Sequence, residues 1–69
     1  MTDQYKAFVR EFRRRTIEYN MSIKQISEML NRSPVTVYGW LRYDTVMSGE
    51  DMIRIITLLM GGRYDKRGA

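Results

Sequence analysis

Two helix starts stand close together in Met21–Arg42, MSIKQISEMLNRSPVTVYGWLR, and they leave little freedom in how this stretch can fold. Ser22 followed by Gln25 is the S-x-x-Q capping box, in which the hydroxyl accepts the Gln25 amide and the Gln25 side chain reaches back. Ile23, Ile26 and Leu30 then fall at helical spacing on one face. Ser33 is a second cap, with Pro34 at the first helical position, where a missing N–H costs nothing. Val37, Trp40 and Leu41 form the apolar stripe of this second helix. Asn31 between them tolerates the left-handed backbone that a sharp inter-helix turn requires. Two short helices with facing apolar stripes and one forced bend make a helix-turn-helix unit.

The same residues resemble the helix-turn-helix of the lambda-repressor/Cro class, written loosely as φ-[ST]-x-x-x-[LI]-[AS]-x-x-[LM]-[GN]-x-S-x-x-T-[VI]-x-x-[WL]. Met21, Ser22, Ile26, Ser27, Leu30, Asn31, Ser33, Thr36, Val37 and Trp40 match. Upstream, Phe8 and Phe12 stand at the first-helix core positions of that family. Downstream, the stretch from Ser48 through Leu59 resembles its following helix, so the resemblance covers residues 8–60. Asn31 replaces the usual turn glycine and Ser27 the usual alanine. Arg32 stands where a small apolar residue is common, and could bury its stem while presenting its head to a phosphate.

A chain of 69 residues makes one domain at most and buries only about 60% of its unfolded surface, which leaves it marginally stable. It has no Cys to form a disulfide and no His, so the zinc sites that hold many small domains together are excluded. Association with a second subunit is the expected source of further stability. No apolar run approaches the length of a signal peptide or a membrane span, so the sequence reads as a soluble cytoplasmic protein, of a bacterium or a phage-infected cell, with no membrane partner.

The net charge of +4 is unevenly distributed. From Lys6 to Arg42 there are eight basic residues against three acidic ones, whereas from Tyr43 onward four of each cancel. A positive field over the half that carries the two capped helices is the footprint of a nucleic-acid binder. Charge alone fits a solvated basic surface equally well.

Thr2 to Tyr19 reads as a helix capped by Thr2 or Asp3, with Tyr5, Phe8, Val9, Phe12, Thr16 and Tyr19 along its inner face. Asn20 is its left-handed stop. Glu11 with Arg15, and Arg14 with Glu18, are spaced for local pairing worth a few tenths of a kcal/mol each. After Arg42, the segment Tyr43–Met47 is too short and too poor in turn residues for the hairpin of a winged variant. Ser48 opens a last helix in an S-x-x-D arrangement with Asp51, and Glu50 and Asp51 complement its dipole. Gly61 and Gly62 stop it. The expected architecture is therefore all-α, a compact four-helix domain over residues 1–62 with helices at about 3–19, 23–30, 34–42 and 49–60 and no wing. Residues 63–69 read as a flexible basic tail.

Nothing in the sequence points to catalysis. Three of the four serines are spoken for as caps, and Ser27 sits where the family packs a small residue. His and Cys, the usual base and thiol nucleophile, are missing. The six Met residues read as core filler and interface rather than a cofactor site. No metal, cofactor or small-molecule effector is expected.

Two functions fit. The first is a sequence-specific double-stranded DNA-binding regulator, most simply a small repressor like those of phages, plasmids and other mobile elements. The second is a helical protein-interaction module that keeps the helix-turn-helix shape without reading DNA. For the first, the resemblance places the base-facing residues at Pro34, Val35, Thr36, Tyr38 and Gly39, a set with no Gln, Asn or Arg for bidentate bonds to a base. Val35 and the Thr36 methyl suit thymine methyl groups, Tyr38 offers one hydrogen bond, and Gly39 would admit a close backbone approach. Readout would then lean on DNA shape. Lys24, Arg32, Arg42, Arg10, Arg13 and Arg14 are the phosphate candidates, Lys24 foremost because that end of its helix abuts the backbone in the family. In the last helix, Met52, Ile55, Ile56 and Leu59 should face the core. Ile53 and Met60 on one side and Leu58 on the other widen the apolar arc beyond what one core uses. A homodimer through Ile53, Ile56 and Met60 would supply stability and a near-palindromic site.

Overall fold

The computed structural model describes residues 1–62, and the expected tail at 63–69 lies outside them. Four helices follow one another, α1 Asp3–Glu18, α2 Ile23–Leu30, α3 Pro34–Leu41 and α4 Gly49–Leu59. No strand occurs among the described residues.

Each helix starts where a short hydroxyl side chain can satisfy an orphan amide. The Thr2, Ser22, Ser33 and Ser48 hydroxyls accept the amides of Tyr5, Gln25, Thr36 and Asp51 at 3.1, 3.1, 3.2 and 3.2 Å. At Ser22 the box is complete, because its own amide donates to Gln25 Oε1 at 2.8 Å.

The first three helices end alike, by a residue in the left-handed region that lets later amides fold back on the last turn. Asn20 (φ 54) lets Met21 donate to the Thr16 carbonyl, and Asn31 (φ 55) lets Arg32 donate to that of Ser27. Tyr43 (φ 62) does the same for Asp44 and the Gly39 carbonyl. The third is unexpected, since a bulky aromatic gains nothing in that conformation. Two contacts offset its cost. The Arg13 guanidinium lies 6.0 Å from the Tyr43 ring centroid, and it also donates to the Leu41 carbonyl at the end of α3.

These bends fold the apolar stripes onto one another. Phe8, Val9 and Phe12 of α1 meet Ile26 and Leu30 of α2, Val37 and Trp40 of α3, and Ile55 and Leu59 of α4. A core this small makes each large member matter, and truncating a buried Phe to Ala costs about 3–5 kcal/mol. Three further tethers of long sequence separation fix the frame. The Tyr5 phenol accepts the Met47 amide at 3.1 Å and reaches the Thr45 carbonyl at 3.5 Å, pinning the α3–α4 loop to the first turn of α1. Arg54 of α4 donates to the Leu30 carbonyl at 2.8 Å. Arg32 donates to the buried Asp51 carboxylate at 2.9 Å. Together the two arginine tethers clamp the α2–α3 turn to the first half of α4.

Several expectations need correction. α1 stops at Glu18, and Tyr19 is half exposed rather than on the inner face, because Asn20 already turns the chain away. α3 and α4 each end one residue early, at Leu41 and Leu59. At Met60 the backbone leaves the helix (φ −119), and its side chain turns into the core at 6% exposure. A helical projection had placed it on the outer arc. Asp51 does not complete a reciprocal box, since its carboxylate takes the Ser48 hydroxyl and Arg32 instead.

Candidate nucleic-acid interface

The outward side of α3 follows from what its other side buries. With Val37 and Trp40 sunk in the core, Pro34, Val35 and Tyr38 stand exposed, Val35 at 82% and Tyr38 at 52%. No residue of α3 is charged. Thr36 is half-buried, and its hydroxyl lies 2.9 Å from that of Ser33, which leaves its methyl as the free part of the side chain. Gly39 has a role inside the fold. A Cβ there would lie 2.9 Å from Thr45 Oγ1, and the Gly39 carbonyl accepts the amides of Asp44 and Thr45 at 2.9 and 3.3 Å. The close approach at Gly39 is thus made by the chain's own loop, which competes with the base-facing use expected of it.

Cations border this face. Arg42, just past α3, places its guanidinium 5.4 Å from the Tyr38 ring centroid and lies 3.6 Å from the exposed Asp44 carboxylate. An exposed stacking of this kind is worth about 0.5–1 kcal/mol and restrains the phenol. Lys24, in the first turn of α2, makes no side-chain hydrogen bond or ion pair among the described residues and shares a concavity with Ser27, Glu28, Asn31, Arg32, Ser33 and Pro34. Arg10 is exposed and likewise without a partner among the described residues. Arg13, bound to the Leu41 carbonyl, is held against the end of α3 with the rest of its side chain exposed.

The remaining two phosphate candidates are engaged elsewhere. Arg14 holds Glu11 with two nitrogens at 3.1 and 2.7 Å and Glu18 with a third at 2.8 Å. Arg15 adds a bond to Glu11 at 2.9 Å. The hydrogen bonds from Arg14, with those from Arg15, hold the Glu11 carboxyl at about 2, against a desolvation that acts in the opposite sense. Spacing gave Arg14 one carboxylate partner; it has two, and its charge is spent within α1. Arg32 is likewise committed to Asp51, a partner 19 residues away that no local pattern reveals.

A residue outside the expected set also reaches this surface. Ile23, the first residue of α2, lines a shallow recess with Pro34, Val35 and Tyr38, and the lining is wholly apolar. Its place on the helical stripe with Ile26 and Leu30 marked it as core, yet at the helix end it is only half-buried.

On the far side, α4 exposes Ile53 at 66% and Leu58 at 49%, while Ile56 is half-buried against the core. Ile53 and Leu58 share a groove with Met29, Glu50, Arg54 and Thr57. No described helix is long and apolar enough to cross a membrane. No protein-family model, curated protein or solved structure matches the chain.

Proposed function

We propose that this chain is a sequence-specific double-stranded DNA-binding regulator rather than an enzyme, most simply a small repressor that occupies an operator. In this reading α2 and α3 form a helix-turn-helix of the lambda-repressor type, and α3 enters the major groove. The observation that carries the reading is the outward face of α3, an uncharged surface of Val35, Tyr38 and the Thr36 methyl bordered by Lys24 and Arg42. A neutral reading face between cations suits a duplex, whose base edges lie between two phosphate rows. Val35 and Thr36 would meet thymine methyls and Tyr38 would hydrogen-bond a base edge. Lys24, Arg42, Arg10 and Arg13 would follow the backbone.

The exposed side of α4, centred on Ile53 with Ile56 beside it, favours a homodimer. Two copies related by a two-fold axis would set their α3 helices roughly 34 Å apart, for a near-palindromic site. The same exposed groove is the observation that favours a second reading, a helical module whose partner is another protein.

Salt separates the two. Binding to duplex DNA should weaken linearly in log affinity against log salt, with a slope set by the number of phosphates neutralised. Tyr38→Ala should relax sequence preference in a selection from random duplexes while leaving low-salt affinity for arbitrary DNA intact. A preferred site unchanged by Tyr38→Ala would remove α3 from the reading role, and an absence of duplex binding at low salt would leave the protein-partner reading.

A further inference from the structure

We infer that Ile23, Pro34, Val35 and Tyr38 form a seat for the 5-methyl group of a thymine, which makes Ile23 of α2 a specificity-determining residue alongside α3. The inference rests on the DNA-binding reading and deepens it. Its starting point is the recess between the N-terminal ends of α2 and α3, whose lining offers no polar atom. The major-groove edges of the four base pairs present carbonyl oxygens, ring nitrogens and amino groups, and a single apolar group, the thymine methyl. A polar base edge pressed into this recess would lose its water without gaining a partner. The methyl group has nothing to lose there.

The walls are held before any ligand arrives. Ile23 directly follows the completed Ser22–Gln25 box, and Pro34 and Val35 follow the Ser33 cap, with the proline ring fixing the first turn. The Tyr38 ring is restrained by the Arg42 guanidinium 5.4 Å away. The surroundings favour a polyanion over an apolar peptide. Lys24 adjoins Ile23 in sequence and has no partner among the described residues, and Arg42 stands at the other edge. The neighbouring concavity, beyond Pro34, is lined by Lys24, Ser27 and Glu28 with Arg32, which Asp51 holds, and it offers polar atoms where this one offers none. Methyl recognition and charge attraction therefore occupy adjoining places on one surface.

The test uses the full chain and the duplex that it selects from a random-sequence library, resynthesised with deoxyuridine in place of each thymidine in turn. This exchange removes one methyl and leaves every hydrogen-bonding atom in place. At one position per half-site, wild type should bind the uridine duplex about four-fold more weakly, the ratio that one buried carbon implies. Val35→Ala and Ile23→Ala should bring that ratio close to one, and the exposed Val35 makes its variant safe for folding, as circular dichroism would verify. Equal binding of both duplexes by wild type at every position would overturn the seat while leaving DNA binding intact. A ratio that persists in both variants would place the methyl elsewhere and overturn it as well. If no duplex is bound at low salt, the DNA-binding reading falls and takes the seat with it.

Discussion

The outward faces of α3 and α4 expose the same kind of side chain under different electrostatic conditions. Val35 and Tyr38 on one, and Ile53 and Leu58 on the other, are all at least half exposed or close to it. Beside α3 two cations are held loosely. Lys24 has no partner among the described residues, and Arg42 has a ring and one exposed carboxylate at 3.6 Å. Around α4 the cations are closed off, because Arg54 donates to the Leu30 carbonyl at 2.8 Å and to Glu50 at 3.4 Å, and Arg32 is held by Asp51. On the proposed reading, exposed apolar area marks where a partner would dock, and the state of the neighbouring charges marks what kind of surface it would bring. The α3 face suits a polyanion with apolar spots, and the α4 face suits another apolar surface.

The widest test of that contrast is to place a charge on α4. Ile53→Glu should leave the fold intact and yield a monomer in analytical ultracentrifugation, with operator affinity lower by roughly two orders of magnitude once the linked second half-site is lost. Wild type that is monomeric at working concentration, both free and on DNA, would end the dimer proposal.

Cutting the link between the two faces should have the next largest effect. Asp51→Ala strands Arg32 and deprives the Ser48 hydroxyl of its acceptor, so denaturant titration should register a loss of about 1–3 kcal/mol. A stability unchanged within error would mean that the α2–α3 turn holds its place without α4.

Free and spent cations can be compared directly. Lys24→Gln should weaken binding to all duplexes alike and lower the salt slope by about one. Arg14→Gln should leave the slope nearly untouched, since its charge is already matched by Glu11 and Glu18. Equal slopes for the two variants would dissolve the distinction.

The smallest effect concerns acid and touches neither face. Glu11 is held at about 2 in the folded chain, below its ordinary 4.5. A lowered folded-state value gives stability that is present in full above about pH 4.5 and lost as pH falls towards 2. Thermal melts between pH 5 and 2 should therefore decline less steeply for Glu11→Gln than for wild type.

What could be read from the sequence was what neighbours decide. The four caps are made between residues three apart, and Asn20 and Asn31 advertise their left-handed backbone by their own chemistry. The tethers join residues far apart along the chain, Arg32 with Asp51, Arg54 with Leu30 and Tyr5 with Met47, and leave no periodic trace. For that reason Arg32 reads from the sequence as a phosphate candidate and nothing there marks Arg54 as a tether. Tyr43 hid for a different reason, since its left-handed backbone runs against its own preference and is offset by Arg13 from another helix. Of the α3 face, the register was legible, but the recess needed Ile23 from the neighbouring helix to complete it.

The Tyr5–Met47 hydrogen bond also bears on how the molecule opens. Met47 lies in a loop, where an amide ordinarily exchanges with solvent within moments, yet its N–H is buried and bonded across 42 residues of chain to the first turn of α1. Its release requires the first turn of α1 and the α3–α4 connection to part from each other. Deuterium should therefore enter this amide more slowly than it enters other loop amides. Its exchange would then report how often the first turn of α1 parts from this loop, from a position that carries no helix, and Tyr5→Phe should let deuterium in early.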